Sequence, residues 1–88
     1  MRDNIEKTIF FGGLFDLYGK LLSSAQEAVM RDYYDNNLTL TEIAENNKIS
    51  RQAVYDAVVK AQNKLLEIEE KVGAYKKIKK LKGNNGNI

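Results

Sequence analysis

The chain has 88 residues, with 14 lysines and arginines against 12 aspartates and glutamates, and no Cys, His, Pro or Trp. Its length allows one domain that buries about 60–65% of its unfolded surface, so its stability is marginal or shared with a partner. Without Cys or His, disulfides, the common zinc and thiol sites and histidine acid–base catalysis are excluded.

The opening run MRDNIEKTIF lacks the basic start and apolar core of a signal peptide. No stretch has the apolar length of a membrane span. Together with the absence of Cys, this points to the cytoplasm. Asp3 or Asn4 can cap a first helix. From residue 9 to 22 that helix carries two apolar stripes. Phe11, Phe15, Tyr18 and Leu22 form one; Phe10, Leu14, Leu17 and Leu21 form the other. A helix apolar on two sides is buried on two sides, and in so small a protein the second side is a candidate subunit contact. Gly12-Gly13 costs about 1 kcal/mol per Gly relative to Ala. A local helix irregularity is the preferred reading, ahead of close approach by a neighbouring backbone.

Ser23 caps a second helix, with Gln26 closing a capping box. Val29, Met30, Tyr33 and Tyr34 supply its apolar face. Aromatic pairs can stack on nucleic-acid bases, but helical spacing favours a place in the core. Asp35-Asn36-Asn37 ends the helix.

Residues 38–60, LTLTEIAENNKISRQAVYDAVVK, have the spacing of a helix-turn-helix. Thr39 and Glu42 form a capping box, and Leu38 and Ile43 a hydrophobic staple. Ser50 caps the next helix, and Ile49 and Val54 repeat the staple. Glu45-Asn46-Asn47-Lys48 is the turn. Ala44 is small enough for two helices to cross there. Ile43, Ile49, Val54 and Ala57 are expected to share an interior.

The second helix of this motif is expected to run on. Val54, Val58, Ala61, Leu65, Ile68, Val72 and Tyr75 step by fours and threes with no Gly before residue 73, which is a heptad seam. A helix over residues 51–71 spans about 30 Å. Gly73 ends or kinks it. The segment AYKKIKKLK, residues 74–82, forms a further helix with Tyr75, Ile78 and Leu81 on one side and five lysines on the others. The final GNNGNI, residues 83–88, has no core-forming pattern and is expected to be disordered. Charge is uneven along the chain. Residues 1–38 hold four bases and six acids, residues 39–60 three of each, and residues 61–88 seven lysines and three glutamates.

The run SRQAVYD following EIAE, together with LFDLYGKLLSSAQ at residues 14–26 and the Tyr33-Tyr34 pair, resembles the YlxM family of small bacterial helix-turn-helix proteins. More distantly it is similar to the region-four domain of sigma factors. The resemblance covers roughly residues 10 to 72, and these motifs together are more specific than a bare helix-turn-helix. It implies a regulatory role tied to the signal recognition particle pathway, in which DNA, or the particle's protein or RNA, is the partner. The sequence departs from the family pattern at Asn47, where an apolar residue is usual, and at Lys48, where Gly or Asn is usual. Two registers stay open: a turn with Lys48 at positive φ, at a cost of about 1 kcal/mol, or a turn shifted or loosened by a residue.

With the seam inward, Gln52, Tyr55, Asp56, Val59 and Asn63 face outward, and Arg51 stands at the helix start. Arg51 can pair with guanine and Gln52 with adenine. Ser50 and the first amides can hold a phosphate. Ser50, Arg51, Gln52, Tyr55 and Lys60 are therefore the candidate nucleic-acid contacts. Asp56 opposes this reading, because affinity for DNA depends on cations meeting phosphates. Lys76, Lys77, Lys79 and Lys80 form a candidate polyanion-contacting tail. Leu65, Ile68 and Val72 are the candidate interface of a homodimer, since an uncovered seam would be an apolar patch unusual for a monomer.

No acids stand at a spacing that implies a paired catalytic site, and Asp16 is expected to bond a nearby backbone or Tyr hydroxyl. Gly12-Gly13 lacks the spacing of a phosphate loop. The chain is read as a non-enzyme without cofactor or metal. The expected fold is all-α: a single domain over residues 1–82, a bundle of four to five helices. It contains a helix-turn-helix of the sigma region-four type with a long second helix.

Overall fold

A computed structural model describes residues 4–86 of the chain, and side chains through residue 80. The described residues form five α-helices and no strand: α1 (Ile5–Tyr18), α2 (Ser24–Met30), α3 (Leu40–Asn47), α4 (Arg51–Val72) and α5 (Ala74–Gly86). A 3₁₀ turn at Gly19–Leu21 links α1 to α2, and α2 continues into a π-helical segment, Arg31–Asp35.

Each helix begins where its local chemistry supplies a partner for the first amides. Asn4 Oδ1 accepts from the Lys7 amide at 2.8 Å. Ser23 and Gln26 exchange both bonds of a capping box, at 3.2 and 3.3 Å. Thr39 and Glu42 do the same at 3.1 and 2.8 Å. Ser50 Oγ accepts from the Ala53 amide at 3.0 Å. These orphan donors are common to all helix starts, and short polar side chains satisfy them.

α4 is the axis of the fold, and α1, α2 and α3 all pack on it. Its buried stripe is Val54, Val58, Ala61 and Leu65. Against it lie Phe11, Leu14, Phe15 and Tyr18 of α1, Leu22 of the link that follows, Val29 and Met30 of α2, Tyr33 of the π-helical segment, and Leu40, Ile43 and Ala44 of α3. Each fully buried Leu, Ile or Val contributes about 1.5–3 kcal/mol of hydrophobic stabilisation. Gln62 sits among them and is buried without penalty, because its Nε2 donates to the Tyr34 hydroxyl at 2.8 Å. The wider π turn narrows the angle between neighbouring side chains, so consecutive tyrosines both reach inward. Tyr33 is buried and Tyr34 half-buried, edge to face at 4.9 Å. The pair is core.

The structure corrects several expectations. The second stripe of α1 divides: Leu14 is buried and Phe10 is half-buried against Tyr75 of α5, while Leu17 and, past the end of the helix, Leu21 are 41% and 62% exposed. Gly12-Gly13 introduces no irregularity, since α1 runs unbroken through both. A Cβ on Gly13 would collide with the ring of Tyr75 from α5, so the glycine admits a side chain. Asp16 is exposed, and the Tyr18 hydroxyl turns to Glu69 instead. Leu65 is fully buried within the single chain and Ile68 half-buried against the same core; only Val72 of the three candidate dimer contacts is well exposed, at 61%. Leu65 and Ile68 are thus packed within the chain, where α1 and α5 lie on α4, while Val72 stays open. α5 spans Ala74–Gly86, so its last four residues fall in the stretch 83–88 expected to be disordered. Residues 87–88 of that stretch lie outside the described residues.

Candidate nucleic-acid interface

The turn between α3 and α4 keeps the unshifted register. Lys48 takes a left-handed conformation, φ 56° and ψ 42°. The Ile49 amide donates back to the Ala44 carbonyl at 3.1 Å, and the Lys48 amide reaches Glu45 O at 3.4 Å. This is the Schellman closure of a helix with Lys48 in the place usually held by Gly. Asn47 folds its side chain back on α3, its Nδ2 donating to the Ile43 carbonyl at 2.8 Å. The same closure turns Ile49 outward to 44% exposure. Ile49 does not join the interior with Ile43 and Val54, and Ala57 is only half-buried.

Ala44 is buried at the point where α3 crosses α4, so the two helices pack closely. The crossing leaves the first turns of α4 open. Ser50, Arg51, Gln52, Tyr55, Asp56 and Lys60 are all exposed, while Val59 is half-buried. The candidate contacts Ser50, Arg51, Gln52 and Tyr55 are thus brought together at the helix start, and Lys60 stands further along the helix. The Ser50 Oγ already accepts from Ala53, which leaves its hydroxyl proton for a phosphate oxygen. Asp56 is not idle: its Oδ1 accepts from Gln52 Nε2 at 3.0 Å, one turn back. That bond fixes the Gln52 amide and occupies one of its two N–H donors.

Lys76, Lys77, Lys79 and Lys80 are exposed on α5. They belong to a different surface, since the length of α4 puts about 33 Å between Arg51 and Gly73. α5 is held by a polar joint that local sequence patterns do not reveal. The Tyr18 hydroxyl donates to Glu69 Oε1 at 2.7 Å and accepts from the Ala74 amide at 3.2 Å. The Glu69 carboxylate also accepts from the amides of Tyr75 and Lys76, at 3.1 and 3.0 Å. A side chain of α4 thereby caps α5. Burial pushes the Tyr18 hydroxyl up, and the bond to Glu69 adds to that. Burial alone would raise the Glu69 carboxyl too. The Tyr18 hydroxyl and the amides of Lys76 and Tyr75 outweigh it and hold the carboxyl below its usual value.

A short helix and a long one with a tight closure between them, the long one open at its start, define a helix-turn-helix protein. Residues 5–85 match the UPF0122 family, described as "Putative helix-turn-helix protein, YlxM / p13 like". The chain belongs to this family. It is 43% identical over 77 residues to a UPF0122 protein of Clostridium botulinum, covering 88% of this chain and 67% of that one. It is 42% identical over 79 residues to UPF0122 protein YlxM of Bacillus subtilis, covering 90% and 72%. A UPF0122 protein of Fusobacterium nucleatum is 33% identical over 78 residues, covering 89% and 76%. No helix among the described residues is long and apolar enough to cross a membrane.

Proposed function

We propose that this chain is a non-enzymatic, cytoplasmic DNA-binding regulator that presents the start of α4 to the major groove. The observation that carries the reading is the exposed cluster of Ser50, Arg51, Gln52 and Tyr55 at the N-terminus of a helix crossed by α3. Arg51 supplies a bidentate donor for guanine, and Gln52 a donor and acceptor for adenine. Ser50 and the adjoining amides supply a phosphate clamp. A role in the signal recognition particle pathway is the extension that the YlxM resemblance suggests.

The test is fluorescence anisotropy against a pool of random duplexes at low salt. Arg51→Ala is expected to weaken binding and relax base preference. Asp56→Asn is expected to strengthen binding to every sequence, since it removes the acid from the middle of the face. A parent protein that binds no duplex at low salt overturns the reading. One observation favours a second reading: Asp56 faces the groove-reading side and holds Gln52. In that reading the chain is an accessory protein that contacts the particle's protein or its RNA without binding DNA. Titration of the same protein with particle RNA, or with the particle's GTPase, separates the two.

A further inference from the structure

At the far end of α4 from Arg51, α1 and α5 pack side by side and leave a furrow between them. Its floor is Ile9 and Phe10 from α1 and Tyr75 and Ile78 from α5. A wider, more open stretch of about 550 Å³ adjoins it along Phe10 and Tyr75 and is bordered by Glu69, Lys76, Lys79 and Lys80. The Tyr75 ring is seated over Gly13 and meets Phe10 edge to face at 5.3 Å. The aliphatic floor is open to solvent: Ile9 is 63% and Ile78 41% exposed, and Ile5, one turn before Ile9, is 76% exposed.

The charges beside the Phe10–Tyr75 stretch of the furrow are one-sided, while beside the isoleucines Lys79 stands with Glu6. Lys76, Lys79 and Lys80 stand at helical spacings of three and four and border the furrow together. Of the two acids nearby, Glu69 is engaged by the Tyr18 hydroxyl and two amides of α5. The other, Glu6, lies at the opposite end beside Ile9.

We propose that this furrow is a docking site for an amphipathic α-helix of a partner protein, one that carries acidic side chains along the flank of its apolar face. A furrow between two packed helices accepts a third in the manner of a helix bundle. The lysine border selects acidic flanks and rejects basic ones. A nucleic acid fits less well. Single-stranded bases need open aromatic faces, and the two rings here are packed on each other. Phosphates gain nothing from an isoleucine floor. The inference does not depend on the DNA reading, because the furrow and the start of α4 are separated by the length of that helix.

The test uses the full chain and an acetylated, amidated helical peptide of about 18 residues, roughly 27 Å long. The peptide has a Leu/Ile stripe, glutamates on its flanks and a fluorescein label. The comparison probes are the same peptide with lysine flanks, a random duplex, and phosphatidylserine vesicles. The expected result is saturable binding of the acidic peptide, with amide shifts concentrated at Ile9, Phe10, Gly13, Tyr75 and Ile78. Lys79→Glu with Lys80→Glu should weaken it about tenfold or more and admit the lysine peptide instead. Ile9→Ser should weaken the acidic peptide without altering the fold, since Ile9 is exposed. The proposal is overturned by absence of binding, by equal binding of both peptides, or by indifference to the charge reversal. Displacement of the acidic peptide from the furrow by duplex or vesicles also overturns it, and would assign the site to that class instead.

Discussion

Replacing Lys48 with glycine should make the protein more stable, although it removes a residue from the centre of the motif. Lys48 sits at φ 56°. A left-handed conformation costs an L-residue about 1–2 kcal/mol, because Cβ crowds the following carbonyl. Glycine escapes that cost but has a more flexible unfolded chain, which returns about 0.4–1 kcal/mol. The net expectation is a gain of about 0.5–1 kcal/mol, or roughly 2–8 °C in Tm for a domain of this size. The side chain itself is exposed, so no packing is lost. Urea unfolding reads the effect as a rise in midpoint at constant slope. Gly73 provides the reciprocal. It lies at φ 70°, and a Cβ there would meet nothing within 4 Å, so Gly73→Ala tests backbone strain alone and should cost about 1 kcal/mol. A Lys48→Gly protein less stable than the parent would refute the strain argument.

Leu65→Ala should cost about 2–5 kcal/mol, with an unfolding midpoint independent of protein concentration; a concentration-dependent loss would return Leu65 to a subunit interface. Ser50→Ala should cost about 1 kcal/mol through loss of the α4 cap, and an unchanged urea midpoint would refute that cap's contribution. The Glu69 carboxyl is held below its ordinary 4.5, so its stabilisation is complete above that value and lost as pH falls through the depressed folded value. The protection factors of the Ala74, Tyr75 and Lys76 amides against hydrogen exchange should therefore fall in acid, and Glu69→Gln should abolish that dependence.

What the amino-acid order revealed was what short-range chemistry decides. Ser23 with Gln26, Thr39 with Glu42, and Ser50 before an apolar run are contacts between residues three apart. They could be read without knowing the fold, and so could the periodicity of Val54 to Leu65. The outward turn of Ile49 was hidden, because it depends on whether Lys48 accepts positive φ, and sequence left both registers open. The covering of Leu65 was hidden for another reason. A heptad seam states that something must bury it, but not whether that partner is α1 or a second chain. Gly13 could be placed only once Tyr75 was known to lie over it. The bond from Tyr18 to Glu69 joins residues 51 apart, and no local pattern announces such a pair.

The Glu69 cap makes the corner between α4 and α5 a ruler. Its carboxylate reaches amides six and seven residues further on, across Gly73. Adding or deleting one residue in that interval would carry those amides away from the carboxylate. It would also turn α5 by about 100° about its own axis. Tyr75 would leave Gly13, and Lys76, Lys79 and Lys80 would no longer border the furrow. Substitutions on the surface of α5 leave this corner in place, while the number of residues between Glu69 and Tyr75 is held fixed by geometry.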